Sequence, residues 1–411
     1  MHSAHRSAFA SRAYRHYFPA AIFSTLGSWI LRFLLGWSAW DLTHSATWVG
    51  AVAGLMLAPA LVLSPLFGIV SDRINPRNGL LITVSAHALL AGMAALAVAT
   101  DLFGLPVLLA LSLTLGIATS AHTPIRLALI PLLVPRESLP SAIGYSAITF
   151  NTSRILGPAL GAWLLQLGSP LVAYLGAAVL MLCGLPFLLG IAGKSRDKAQ
   201  GENSGFVQQL QDGLRYTRAH QSIRLVLGFT LVNALLGRTV IELLPAVSGI
   251  LLSGDSSTLA TLTASAGVGS ILGGLVVSRQ GGGEARLFRL MGYSLAFGSL
   301  FVAILGWPGQ LSPVATLIGV ISLITTIAGT ANQALAQLLV DEDYRGRVLS
   351  LWTMIAMGAP AGGALLMGWL ADRYSFAAVL AGFALCAVIA VAWLSRAAET
   401  GFKHKHCIPE P

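Results

Sequence analysis

The chain has 411 residues, of which 55% are hydrophobic and only 10% are charged, and its formal net charge is +9. Its mean hydropathy is +0.76. A water-soluble domain of this size cannot bury so much apolar surface, so the composition excludes a soluble globular protein. The basic residues are spread over many connections and form no single patch, which argues against a nucleic-acid partner.

Twelve apolar runs are long enough to cross a bilayer, since one crossing takes about 20 helical residues. In chain order they are Phe18–Trp40, Val49–Val70, Gly79–Ala99, Gly104–Val134, Leu139–Leu167, Leu171–Ala192, Ile223–Leu244, Leu259–Val277, Leu287–Gly306, Leu311–Val340, Val348–Ala371 and Phe376–Leu394. Long runs without polar alternation exclude a β-barrel, and backbone groups in lipid must then be satisfied within helices. The sequence therefore predicts an all-α integral membrane protein with twelve transmembrane helices.

The amino-terminal segment carries Arg6, Arg12 and Arg15 ahead of the first run, as a signal peptide does. That run is too long for a signal peptide and contains Arg32, so we expect an uncleaved first helix. Most of the 25 lysines and arginines fall on the termini and on even-numbered connections. This distribution predicts a multi-pass protein of the bacterial inner membrane with both termini in the cytoplasm.

The second half of the chain repeats the first at a shift of 206 residues, with no gap. In this register Gly68–Arg73 falls on Gly274–Arg279, and Arg32 falls on Arg238. The repeat predicts two six-helix bundles related by a pseudo-twofold axis along the membrane normal, which would rock against each other.

Four domains follow from the repeat and from the longest polar stretch. They are an amino-terminal bundle (1–192), a cytoplasmic linker (193–222), a carboxy-terminal bundle (223–396) and a cytoplasmic tail (397–411). Apolar residues recur every four positions in the linker, which predicts an amphipathic helix suited to the cytoplasmic membrane face. A simple tether between the bundles explains the linker equally well.

Arginines inside the runs are the first candidates for a binding site, because a charge in the bilayer must face a cavity or a partner. Arg32 and Arg238 lie about 14 residues, or about 21 Å, into helices one and seven, near the midplane. With Arg154 in helix five, they would line a central cavity and bind a carboxylate, phosphate or catecholate through paired hydrogen bonds. Pairing with a carbonyl or a nearby acid is an equally open explanation.

Glu242 is the acidic residue that falls within a run, and a buried carboxylate beside an arginine is a reasonable proton carrier for antiport. Arg126 adds positive charge or simply snorkels to the cytoplasmic surface. His87 and His122 titrate near neutral pH, but we expect hydrogen-bonded packing residues at these positions. The electropositive interior argues against a cationic substrate.

The loop after the second run contains Gly68, Asp72, Arg73 and Arg77. Gly68 would let two helices approach, Asp72 would accept hydrogen bonds from a helix amino terminus, and the arginines would engage anionic lipid or acidic partners. We predict a cytoplasmic latch that opens when the halves rock, although a basic loop that only sets orientation is the alternative.

Gly157, Pro158 and Gly161 place small residues and a missing backbone donor within the fifth run. They allow a kink and close packing, which we expect against a helix of the other half. Ordinary small-residue packing explains them equally well.

The residues from Gly68 to Arg77 resemble the signature loop between helices two and three of the major facilitator superfamily. Further stretches resemble the branch with the enterobactin exporter and twelve-helix drug/proton antiporters, namely Thr123-Pro124, Gly157–Gly161, Arg345–Val348 and Gly368–Arg373. In exporters of this superfamily a sequence like that at Gly157 is associated with antiport. The chain departs from the drug/proton pattern, because helix four lacks Arg-x-x-Gln-Gly and Gly27 is followed by Ser28.

Together, the residues and the resemblance predict a secondary active transporter that exports an amphipathic organic compound, such as a siderophore or another anionic metabolite, in exchange for protons. A multidrug/proton antiporter and an uptake carrier for an organic anion remain alternatives. A membrane scaffold or enzyme is disfavoured, since the runs hold no catalytic constellation. We expect no cofactor beyond the proton gradient, no metal, contacts with membrane lipid, and a monomer.

Overall fold

A computed structural model describes residues 7–191, 206–278, 284–307, 309–341 and 344–406. The first half of the chain forms six long helices. They are α1 (Arg12–Thr43), α2 (Ala46–Arg73), α3 (Pro76–Ala99), α4 (Leu105–Leu133), α5 (Leu139–Gln166) and α6 (Pro170–Leu189). Short 3-10 turns at Ala8–Ala10 and Arg136–Ser138 precede α1 and α5.

The second half has the same order, with an extra helix in front and one interrupted helix. The helices are α7 (Phe206–Ala219), α8 (Gln221–Asn233), α9 (Thr239–Glu242), α10 (Leu244–Leu252), α11 (Ser256–Ser278), α12 (Glu284–Leu305), α13 (Leu311–Leu339), α14 (Arg345–Ala371) and α15 (Phe376–His406). Residues Ala234–Arg238 form a π-helical segment between α8 and α9.

Eleven helical segments among the described residues are long and apolar enough to cross a membrane. In the first half α5 falls outside this set, because Asn151, Arg154 and neighbouring hydroxyl residues lower its hydropathy. With α5 as the fifth crossing, the prediction of an all-α membrane protein with twelve transmembrane helices is confirmed.

The helix boundaries reproduce the sequence repeat. Helix α13 begins and ends 206 residues after α4, and α14 and α15 begin 206 residues after α5 and α6. Because the shift holds without a gap over these helices, the two halves have the same helix order.

The chain folds into two compact units. Unit 1 contains Met1–Thr43 and Leu55–Glu202, and unit 2 contains His44–Gly54 and Asn203–Pro411. The first turns of α2 thus belong to unit 2, whereas the predicted boundary lies at residue 192. The reason is that these turns pack on the end of α14, as described below.

In unit 1, α1 packs against α5 and α6, and α3 packs against α4 and α6. Three tyrosines are at most 2% exposed in this core, namely Tyr14, Tyr17 and Tyr174. In unit 2, α13 packs against α11 and α12, and α12 packs against α15. The predicted tail is helical as far as His406, because α15 continues past the membrane-spanning stretch.

Candidate functional site

Arg32 lies on α1 beside the aromatic residues that pack against α5. Its Cζ atom is 6.0 Å from the centre of the Trp29 ring, and the Trp29 ring lies 5.5 Å from that of Phe150 on α5. Both Arg32 and Arg154 of α5 are half-buried. The structure therefore places two of the predicted binding residues on two helices that pack against each other within unit 1.

The close packing of α1 and α5 depends on Gly157 and Gly161. A Cβ atom on Gly157 would lie 2.6 Å from the Trp29 Cβ atom, and one on Gly161 would lie 2.8 Å from the Phe33 ring. The expectation that these glycines pack on the other half is wrong, since α1 of the same unit fills the space. Helix α5 continues through Pro158 as far as Gln166.

Arg238 and Glu242 lie in the interrupted helix of unit 2, where the sequence predicted one helix ending at Leu244. Arg238 ends the π-helical segment, and Glu242 ends α9. The helix breaks at Leu243, because Pro245 has no N–H to continue the hydrogen-bond ladder. It resumes as α10, which ends at Leu252. A π-helical turn widens the backbone and is frequent at functional sites.

The neighbourhood of this π-helical segment is polar inside unit 2. The Asn233 amide donates to the Thr325 carbonyl at 3.3 Å, and the Asn332 amide donates to the Thr230 hydroxyl at 2.7 Å. Within the described part of the chain, the side-chain oxygens of Asn233 and Asn332 are buried without a hydrogen-bond donor. These asparagines were not among the predicted site residues, although asparagine in a transmembrane helix is itself a signal.

Of the predicted cytoplasmic latch, only Arg77 can be described. Gly68, Asp72 and Arg73 lie outside the residues whose side chains the structure describes. The Arg77 guanidinium donates to the carbonyls of Leu188 (3.1 Å) and Leu189 (2.7 Å), the last residues of α6. A cation at a helix carboxy terminus is stabilised by the helix dipole. The described partners of Arg77 are thus backbone carbonyls, and its expected contact with anionic lipid or an acidic partner stays a prediction, as does the latch.

Asp372, just after α14, binds the amino terminus of α2 within unit 2. Its carboxylate accepts hydrogen bonds from the Ser45 hydroxyl (2.5 Å), the Thr47 hydroxyl (2.6 Å), and the amides of Ala46 (2.9 Å) and Thr47 (3.0 Å). Burial alone would raise the pKa of Asp372, but these hydrogen bonds outweigh it and hold the pKa below its ordinary value. The carboxylate is thus charged at neutral pH and caps α2.

The linker helix α7 packs on α14 within unit 2. The Tyr216 hydroxyl donates to the Asp341 carboxylate at 3.0 Å, and the Tyr216 and Tyr344 rings stack 4.5 Å apart. Arg347 and Asp212 form an ion pair at 3.7 Å. Burial raises the pKa of Tyr216, so its hydroxyl keeps the proton that it donates. The amphipathic helix is confirmed as a helix, but its buried side lies on α14, where we predicted the membrane face.

The repeated helical halves, the long apolar helices and the charged residues within them define a multi-pass membrane transporter. A profile of the family described as transmembrane secretion effectors matches residues 3–409. The chain therefore belongs to this family of the major facilitator superfamily, and it is a transporter, not an enzyme.

Two relatives show the kinds of transporter to which the chain is similar. It is 25% identical over 369 residues to the staphyloferrin A transporter of Staphylococcus aureus. This alignment covers 88% of this chain and 90% of the relative. It is also 25% identical over 356 residues to the macrolide efflux protein A of Streptococcus pyogenes, with 85% and 87% covered.

Solved structures show the same fold. A bacterial homologue of the human lysosomal transporter Spinster, in an inward-facing and unoccupied conformation, matches with a TM-score of 0.70 at 16% identity, covering 96% of this chain and 98% of that one. The nucleoside transporter NupG matches with a TM-score of 0.71 at 16% identity, covering 93% and 97%. At this identity the match concerns the fold alone.

Proposed function

We propose that the chain is a proton-driven exporter of an amphipathic organic anion, such as a siderophore or a related metabolite. It would act as a monomer in the bacterial inner membrane, with both termini in the cytoplasm and the proton gradient as its energy source. The observation that carries this proposal is the half-buried Arg32, held against the Trp29 ring where α1 packs on α5.

An arginine in this setting suits the acidic end of an amphipathic molecule. A guanidinium binds a carboxylate or catecholate with two parallel hydrogen bonds, and these gain strength away from water. Trp29 and Phe150 offer aromatic surface beside it for the apolar part. Arg154 on the packed helix α5 adds positive charge on the same unit, and the repeat gives Arg238 the equivalent position in unit 2.

Glu242 is proposed to carry protons in unit 2. It is half-buried at the end of α9, four residues after Arg238. Protonation removes the negative charge of Glu242, and a neutral side chain has a lower free energy of burial in the membrane interior. The broken helix gives this part of unit 2 the backbone freedom that a change of access requires.

A second candidate function is multidrug/proton antiport. It is favoured by the similarity to macrolide efflux protein A. The chain is 25% identical to this protein and 25% identical to the staphyloferrin A transporter. Uptake of an organic anion remains a third possibility. The charge of the accepted substrate separates the first two functions, and the direction of flux separates the third.

The test is substrate-dependent proton release from everted membrane vesicles offered staphyloferrin A, a cationic dye or a neutral macrolide. We expect the anion alone to release protons. Arg32→Ala should lower the rate at least tenfold, and Arg32→Lys should restore only part of it because lysine lacks the planar fork. The matched control is Arg136→Ala, which removes an exposed arginine of unit 1 and should leave the rate unchanged.

Other outcomes select the alternatives. If the dye or the macrolide releases protons and Arg32→Ala behaves as the wild type, the arginines are structural and the chain is a multidrug antiporter. If the anion instead enters right-side-out vesicles together with protons, the chain is an uptake carrier.

A further inference from the structure

Two histidines of unit 1 that lie 35 residues apart in sequence are neighbours in space. The rings of His87 on α3 and His122 on α4 are 5.5 Å apart, at an angle of 66°. His87 is 3% exposed, and His122 is half-buried. The sequence predicts two separate packing residues, but the packing of α3 on α4 brings the two imidazoles together.

The hydrogen bonds of His87 assign a proton to one nitrogen of its ring. The Nδ1 atom of His87 lies 2.6 Å from the Thr83 carbonyl oxygen, which can only accept, so this nitrogen carries a hydrogen. The Nε2 atom of His87 lies 3.2 Å from the Thr119 hydroxyl, which donates to it when the ring is neutral. Nε2 is therefore the atom of His87 that can take up a proton.

The position of the hydrogen on His122 depends on the Thr83 hydroxyl. The Thr83 hydroxyl lies 3.2 Å from the Leu80 carbonyl and 3.0 Å from the Nδ1 atom of His122. A hydroxyl has one hydrogen, so when it donates to Leu80 it accepts from Nδ1 of His122. The Nε2 atom of His122 then holds the lone pair that can bind a proton.

A small cavity adjoins His122. It has a volume of about 10 Å³, which is room for about one water molecule, and is lined by Tyr17 and Ser24 of α1, Val84 of α3, Arg126 of α4 and Leu188 of α6. The Tyr17 hydroxyl is buried in this region without a hydrogen-bond partner among the described residues. A buried, unpaired hydroxyl beside a water-sized cavity points to a bound water molecule.

The charges around the pair give proton binding a mechanical effect. Among the described residues, the titratable or charged groups that face His122 are Tyr17 from α1, His87 from α3 and Arg126, one turn along α4. A proton on the pair adds a second positive charge beside Arg126. In a low-dielectric interior the two charges repel. The repulsion falls when water enters and, for a proton on His87 of α3, when α3 and α4 separate.

A path for the proton is also present. The Thr119 hydroxyl, bonded to His87, belongs to a residue exposed on the surface of α4, as does Thr123 one turn further on. The Thr123 hydroxyl donates to the Thr119 carbonyl. A carbonyl cannot relay a proton, so the route from the exposed face of α4 to the buried imidazole runs through the Thr119 hydroxyl alone.

We propose that His87 and His122 form a second proton-binding site, in unit 1, that drives transport together with Glu242 of unit 2. The inference rests on the proposed proton-driven export. The proton enters along Thr119, binds Nε2 of one imidazole and, when it resides on His87, biases α3 and α4 towards a separated arrangement. Its release returns both rings to neutrality, with the hydrogen-bond distances that the structure shows.

The test compares two kinds of transport in proteoliposomes for His87→Asn and His122→Asn. Asparagine keeps a donor near the Nδ1 position, so the hydrogen bonds to Thr83 survive, but it cannot bind a proton. The probe is radiolabelled staphyloferrin A, with a macrolide used if the wild type carries only that. The control is His16→Gln, which removes a histidine of α1 in the same unit.

We expect accumulation driven by a pH gradient to fall at least tenfold in both asparagine variants, while substrate exchange without a gradient stays within about twofold of the wild type. The proposal is overturned if driven accumulation is unchanged, or if exchange is lost to the same extent, which would mean a role in folding or substrate binding. Failure of the wild type to accumulate either probe would instead refute the proposed function, and this inference with it.

Discussion

Replacing Gly368 with valine is expected to separate the first turns of α2 from the end of α14. A Cβ atom at this position would overlap the carbonyl group of Ala46, and one on Gly50 would overlap that of Ala364. Backbone atoms cannot turn aside as a flexible side chain does, so the helices must move apart. Overpacking of this kind costs about 1–3 kcal/mol, which lowers the packed population about 5- to 150-fold.

The readout is amide hydrogen exchange at Ala46 and Thr47, whose N–H groups donate to Asp372 in the wild type. We expect their exchange to accelerate by the same factor, and transport to slow as the packed arrangement becomes rare. The control is Gly362→Val on the same helix, where a Cβ atom meets no other atom within 4 Å. Unchanged exchange at Ala46 in Gly368→Val would contradict the contact that places His44–Gly54 in unit 2.

Replacing Gly157 with valine is expected to disrupt the packing of α1 on α5 and, with it, the position of Arg32. A Cβ atom at Gly157 would lie 2.6 Å from the Trp29 Cβ atom and 3.2 Å from the Trp29 carbonyl carbon. Trp29 must then shift, and Arg32 lies over its ring. We expect a loss of about 1–3 kcal/mol in the stability of unit 1 and at least a tenfold weaker affinity for the transported anion.

Thermal unfolding in detergent and equilibrium binding of staphyloferrin A measure the two effects separately. Gly144→Val is the matched control, since it lies on the same helix with no atom within 4 Å of a new Cβ atom. A Gly157→Val protein that binds and unfolds like Gly144→Val would show that this contact holds neither the helices nor the arginine in place.

Much of the fold could be predicted from the sequence, because each membrane crossing leaves a local signal in hydropathy. The shift of 206 residues also recurs in the structure, in the boundaries of α4 and α13. Helix seven was harder to predict. Pro245 marks the break in this helix. The π-helical turn before the break is contacted by neighbouring helices, since Gly237 packs on Thr325 of α13 and Gly363 of α14 packs on Thr239. No pattern along one helix reports these neighbours.

The site shows the same limit. Spacing along one helix indicates which residues share a face, yet it does not say which helix lies opposite. For this reason Gly157 and Gly161 were assigned to the wrong partner, and His87 and His122 were read as separate residues. A weak signal existed for the pair, since Thr83 lies four residues before His87 and Thr119 three before His122. Such polar stripes on consecutive transmembrane helices favour a shared network.

Whether the chain uses a proton gradient to move a substrate uphill is tested most directly with purified protein in proteoliposomes. A pH gradient, acidic inside, is imposed in the presence of external radiolabelled staphyloferrin A or macrolide. Proton-driven antiport predicts that one of these compounds accumulates above its external concentration and leaks back when a protonophore collapses the gradient. Uptake that stops at equal concentrations, with or without the gradient, would contradict it and show a passive facilitator.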